Sequence, residues 1–132
     1  MIARTLHHIS DVGLTALAIF DLRRALREGL LACLTRPPEV RGVIVPARQS
    51  ELHADLYLPG RGGRHGALVL VPGFAELGKD DPRVVWLARL LARIGFAVLA
   101  PDFLGLRSLR AREADVDDMV DGFRYLVSLA PG

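Results

Sequence analysis

The chain has a single cysteine, Cys33, in 132 residues, so no internal disulfide can form and nothing points to an oxidising compartment. Long apolar runs are missing too. The longest uncharged stretch near the N-terminus, VGLTALAIF, lies between Asp11 and Asp21 and falls far short of the ~20 apolar residues that span a bilayer. No small-x-small cleavage site follows it, so it reads poorly as a secretory leader. A cytoplasmic location is expected, with no membrane partner. Charge of neither sign dominates: 17 Lys and Arg stand against 15 Asp and Glu, and the arginines are scattered from Arg4 to Arg124. That distribution gives no reason to expect a nucleic-acid partner. Internal repeats and low-complexity tracts are also absent.

What is present is a chain that is 51% hydrophobic, enough for a globular core and for one domain or part of one. Residues 11–35 read as a helix, with Ser10 or Asp11 as its cap and Pro37-Pro38 as its stop. Leu14, Leu17, Leu22, Leu26 and Leu30 would dock it on the rest of the chain, and Cys33 within LLACLT reads as a buried small apolar residue. The division is therefore a helical extension over 1–38 and an α/β part over 39–132.

From Arg41 the pattern changes. GVIVPA and LHADLYLP read as strands, the second alternating Leu52, Ala54, Leu56 and Leu58 against His53, Asp55 and Tyr57 on a wet face. ALVLVP and FAVLAP lack alternation, as strands covered on both faces do. Between them the signals for a helix agree: Asp81 as cap, Pro82 in the first turn, Gly95 as stop, and Val84, Leu87, Ala88 and Leu91 as the apolar stripe. Strand, helix and strand imply a right-handed crossover and a parallel pair. A last helix over 115–129 should turn Val116, Met119, Val120, Phe123 and Val127 inward. The fold class is α/β.

The stretch VLVPGFAELGKDDP spells most of a phosphate-binding loop, since Gly73, four residues, Gly78 and Lys79 match G-x-x-x-x-G-K. Asp80 stands where the Mg²⁺-binding hydroxyl belongs, and Pro82 removes an N–H from the helix start where phosphates collect donors. A nucleotide-binding domain using Gly73–Lys79 stays behind another reading.

GVIVPA, LHADLYLP, ALVLVPGF, LARLLARIGFAVLAPDFLG and the helix ending in FRYL together resemble the N-terminal half of an α/β-hydrolase. The resemblance implies a partial hydrolase sheet, two N-terminal strands plus a parallel βαβ unit, with strand order 1-2-4-3. Pro72-Gly73-Phe74 then stands where the family has His-Gly-x, and the backbone of Gly73, Phe74 and Ala75 would supply the oxyanion hole. Such donors matter because acyl transfer builds negative charge on the former carbonyl oxygen. The family's nucleophile sits in G-x-S-x-G on the next strand. Ser10, Ser50, Ser108 and Ser128 lie in no such motif, and no histidine follows His65. The resemblance therefore implies the N-terminal portion of a serine hydrolase for ester, thioester or amide bonds, inactive alone, with no catalytic residue in this chain. It implies no metal or organic cofactor, a small-molecule substrate for the complete enzyme, and an exposed edge on ALVLVP. The rest of the domain, or self-association, would cover that edge. A non-catalytic α/β interaction module is the third reading.

Smaller candidates read blandly. Asp102 and Arg107 fall on the face where such sheets bind ligands, with Arg110 and Arg112 beyond them as a solvated loop. His7-His8 lacks carboxylate partners, and DVDDMVD at 115–121 lacks the glycine of a calcium loop. Its acidic residues suit the first turn of a helix dipole.

Overall fold

The computed structural model describes residues 33–48, 51–73 and 75–129, so the helix expected over 11–35 lies almost wholly outside it, as do His7, His8 and Phe74. Strands β1 (Glu39–Pro46) and β2 (Glu51–Leu58) pair antiparallel, with Val43 opposite Ala54. β3 (Gly66–Val69), helix α1 (Pro82–Arg93) and β4 (Phe96–Pro101) follow, and β3 pairs parallel with β4. β2 pairs antiparallel with β4, giving the order β1-β2-β4-β3. This mixed α/β sheet has the strand order expected of a partial α/β-hydrolase fold. β3 is shorter than the expected ALVLVP, although the Leu70 N–H still donates to Leu99 O at 2.8 Å. A short helix α2 (Leu104–Arg107) and the long α3 (Glu113–Ser128) complete the described chain.

Side chains alternate along each strand, so the sheet carries a core on each face. One gathers Val45, Leu52, Ala54, Leu56 and Leu99 against Leu126 and Met119 of α3. The other packs Tyr57, Val98 and Ala100 against Ala88 and Ala92 of α1, flanked by Val84 and Leu91. Tyr57 was expected on a wet face and is instead 1% exposed, because α1 covers β2 as well as β4. Burial, with Asp55 beside it, raises the Tyr57 hydroxyl above its ordinary pKa. The boundaries of α1 follow its local chemistry. Asp81 caps it by accepting the Arg83 N–H at 2.9 Å, Pro82 occupies the first turn, and Gly95 beyond it takes φ 111°. Arg93, near its end, holds the chain before β1 by donating to Thr35 O and Oγ1 at 3.1 and 3.2 Å. Cys33, expected to be buried, is exposed, just ahead of this anchored stretch.

The last helix corrects a second expectation. Asp115, Asp118, Gly122 and Leu126 are its buried residues, whereas Val116, Val120, Phe123 and Val127 are exposed. The start of the helix sets this roll. Asp115 Oδ2 accepts the Arg112 N–H at 2.8 Å, closing the first turn from the N3 position, and Oδ1 accepts from Arg112 Nη2 at 3.1 Å, an ion pair that turns the acidic side inward. Arg48, after β1, lies 3.7 Å from Asp121 and 3.6 Å from Asp117 and binds that side further along. The inward acid has a consequence for Asp118. Desolvation, then the Asp115 charge, raises its carboxyl above the ordinary 3.8. A raised folded pKa means that stability is lost as pH rises from 3.8 through the folded value. Asp118→Asn should therefore raise the melting temperature at pH 7, and the gain should vanish below pH 3.8. Thermal melts of both proteins across that range check this, and an equal gain at every pH would contradict it.

Candidate functional site

After β3 the chain leaves the sheet through Val71, Pro72 and Gly73. Gly73 takes φ 63°, a left-handed conformation that side-chain-bearing residues avoid, so the glycine is what permits the turn. The Ala75 N–H turns back toward Pro72 O at 3.4 Å, a long bond that closes the turn, and the Gly78 N–H donates to Ala75 O at 2.9 Å. Of the three expected oxyanion-hole residues, Gly73 and Ala75 thus form one tight turn at the C-terminal end of β3. Phe74 between them lies outside the described residues. An open cavity of about 460 Å³ adjoins the turn, bounded by Leu70, Pro72, Ala75, Asp81, Val84 and Leu87.

A clamp holds the loop from behind. Arg107 donates from Nη1 to Asp102 Oδ2 at 2.9 Å and from Nε to Glu76 O at 3.0 Å. Asp102, at the end of β4, is itself fixed by its N–H donating to His53 O at 2.8 Å. Its other oxygen, Oδ1, is buried without a hydrogen-bond partner among the described residues and packs against Gly78, which takes φ 56°. The structure thus brings together Asp102 and Arg107, the two substrate-face candidates, but as each other's partners. The guanidinium is committed to a carboxylate and a carbonyl. Arg112 is likewise taken up by Asp115, while Arg110 is exposed.

The loop is poorly suited to phosphate. Lys79 Nζ lies 3.1 Å from Asp55 Oδ2 and 3.0 Å from Asp80 Oδ1, so its charge is already met by two carboxylates. Burial alone would lower the Lys79 pKa, but the hydrogen bonds it donates to Asp80 and Asp55 together outweigh it and raise the value. Asp81 occupies the N-terminus of α1, where a phosphate would bind. Gly78–Asp80 form a separate 3₁₀ turn ahead of that helix.

Asp81 also carries a pH dependence. Hydrogen bonds from the Arg83 side chain and backbone lower its carboxyl from 3.8 to about 2. A depressed folded pKa gives stability that is complete above 3.8 and lost as pH falls toward 2. Asp81→Ala should lower stability at neutral pH and flatten the loss between pH 4 and pH 2. Denaturant midpoints against pH measure this, and an unchanged acid limb would exclude the assignment.

Sequence reasoning missed the Asp102–Arg107 clamp, Asp55 as the partner of Lys79, and Gly78 as a packing position. Only Gly78 left a signal, since it stood out as the second glycine of the phosphate-loop pattern. Among the described residues, no group of three or more His, Cys, Asp or Glu could hold a metal ion, and no helix is long and apolar enough to cross a membrane.

The site as built is a glycine turn at the end of a parallel strand, braced by an ion pair from the neighbouring strand. Among solved structures, the chain is similar to m3DLH, with TM-score 0.46 and 22% identity over 70% of this chain and 37% of that one. It is also similar to a dienelactone hydrolase from Anabaena variabilis, with TM-score 0.45 and 23% identity over 71% of this chain and 40% of that one. The chain thus spans less than half the length of either structure. No family model matches the chain, and no curated protein matches it.

Proposed function

We propose that this chain is the N-terminal segment of a serine α/β-hydrolase acting on ester, thioester or amide bonds. Its part is the oxyanion-hole turn at Gly73–Ala75, with the N–H of Phe74 or Ala75 as donor. The nucleophile and the histidine are carried by residues outside these 132. The observation that carries the reading is the position of the turn. Gly73, at φ 63°, follows the edge strand of a β1-β2-β4-β3 sheet, beside an open cavity at the N-terminus of the crossover helix. Backbone donors held there can stabilise a developing oxyanion, each by about 3 kcal/mol. The Asp102–Arg107 clamp fixes the far end of the same loop, as preorganised catalysis requires. The cavity takes a small-molecule acyl compound, and the chemistry calls for no metal or organic cofactor.

The coding sequence beyond Gly132 tests the proposal. It should encode G-x-S-x-G within a few tens of residues, and the longer polypeptide should react with a fluorophosphonate probe at that serine. The 132-residue chain alone should hydrolyse no p-nitrophenyl acetate. Turnover by the short chain that disappears on mutating Ser10, Ser50, Ser108 or Ser128 would overturn the assignment of catalysis to residues outside it. Absence of the motif downstream would overturn the reading as a whole.

A further inference from the structure

The outward face of α3 carries Val116, Val120, Phe123 and Val127, exposed by 60%, 41%, 47% and 47%. Their spacing is four, three and four residues. On a helix of about 3.6 residues per turn they fall within an arc of about 60° and form a ridge about 16 Å long. This is the spacing of a coiled-coil seam across two heptads. A stripe so narrow in a surface helix ordinarily faces the core, yet here the inward positions belong to Asp115, Asp118, Gly122 and Leu126.

We propose that this ridge is the interface between two copies of the chain, with their α3 helices packed antiparallel about a two-fold axis that passes between Val120 and Phe123. A two-fold interface is self-complementary. Val120 meets Phe123 of the second copy, and Val116 meets Val127 of the second copy. The flanking charges set the direction. Asp117 and Arg124 each follow a ridge residue by one position, so both stand on the same flank of the helix. In the antiparallel arrangement each Asp117 comes beside Arg124 of the second copy, twice by symmetry. A parallel pair would turn this flank of the two helices to opposite sides of the interface, so neither Asp117 nor Arg124 would meet its counterpart and both ion pairs would be lost. The two side chains are 48% and 65% exposed and hold only surface contacts, Asp117 with Arg48 at 3.6 Å and Arg124 with Asp121 at 3.4 Å. Both can therefore turn toward a new partner. The proposal does not depend on the hydrolase reading.

Sedimentation velocity of the 132-residue chain over a range of concentrations provides the test. A monomer–dimer equilibrium is expected. Phe123→Asp places a charge at the centre of the ridge and should raise the dissociation constant on the order of a hundredfold. Its circular dichroism should be unchanged, because the position is exposed in the monomer. Asp117→Arg and Arg124→Asp should each weaken association roughly tenfold. The double reversal should restore it, an outcome that misfolding cannot produce, and a net-charge effect cannot make both single changes, of opposite sign, weaken association. A chain that stays monomeric at all concentrations overturns the proposal, the ridge then being covered by another segment of the same protein or by a different polypeptide. So does a dimer indifferent to Phe123→Asp, which would be joined elsewhere, for instance along the exposed edge of β3. A double reversal no better than either single change overturns it as well.

Discussion

Replacing Gly78 with valine is expected to lower stability by about 3 kcal/mol and to shift the urea midpoint without changing the slope. Two effects combine. Gly78 takes φ 56°, which a β-branched residue adopts only under strain. Its new Cβ would also run into Asp102 Oδ1 and come within 2.9 Å of Arg107 Cδ, driving apart the clamp. Separating a partly buried ion pair leaves each charge without its partner. Gly73→Ala supplies the control. It carries the left-handed strain of an unbranched residue at φ 63°, and its Cβ would meet nothing within 4 Å, so the expected loss is only about 1 kcal/mol. Equal losses at the two positions would show that the Asp102–Arg107 pair does not restrain the loop.

Gly122→Leu carries the second large effect, expected at about 2–3 kcal/mol. Gly122 lies where α3 comes closest to the sheet. A Cβ there would stand 3.3 Å from Leu99 Cδ2, 3.9 Å from Pro101 Cγ and 4.0 Å from Leu52 Cδ2. A methyl group asks those neighbours to give by a few tenths of an ångström. A leucine has no room at all and lifts the helix from Leu52, Leu56 and Leu99. Chemical denaturation of Gly122→Ala and Gly122→Leu should therefore give a small effect followed by a large one. A tolerated leucine would mean that α3 is loosely seated.

The two glycines illustrate what the sequence made legible. Local chemistry was readable: Asp81, Pro82 and Gly95 bracket α1 because capping, a fixed φ and a left-handed stop act within a few residues. The strand order 1-2-4-3 was reachable through the ordered set of motifs. Long-range partnerships were not. Nothing near Lys79 announces Asp55, 24 residues away on β2. Nothing at the end of β4 announces that Asp102 and Arg107 would bind each other and brace Glu76. The roll of α3 was misjudged for a related reason. Periodicity finds the Val116–Val127 stripe but not which way it faces, and a weaker inward set of Met119, Gly122 and Leu126 competes with it. The tie goes to the acidic side because Arg112 and Arg48 neutralise Asp115 and Asp121 there, which depends on where β1 ends. Of the candidate site, Gly73 and the turn were legible, whereas the clamp behind it was not.

The pairing pattern makes the sheet a joint between two locally closed units. β1 and β2 form a hairpin of neighbouring segments, and β3, α1 and β4 form a single crossover, so each closes over a short stretch of chain. The β2–β4 register that joins them is only four residue pairs long, Ala54 with Pro101 through Tyr57 with Val98. α3 lies across that joint as a splint, packed against β1 on one side and β3 and β4 on the other. The hairpin cannot swing away from the crossover unit without first stripping this helix from the sheet. The rigidity of the Gly73 turn, at the end of the second unit, is thus set partly by a helix whose own sequence begins 40 residues later.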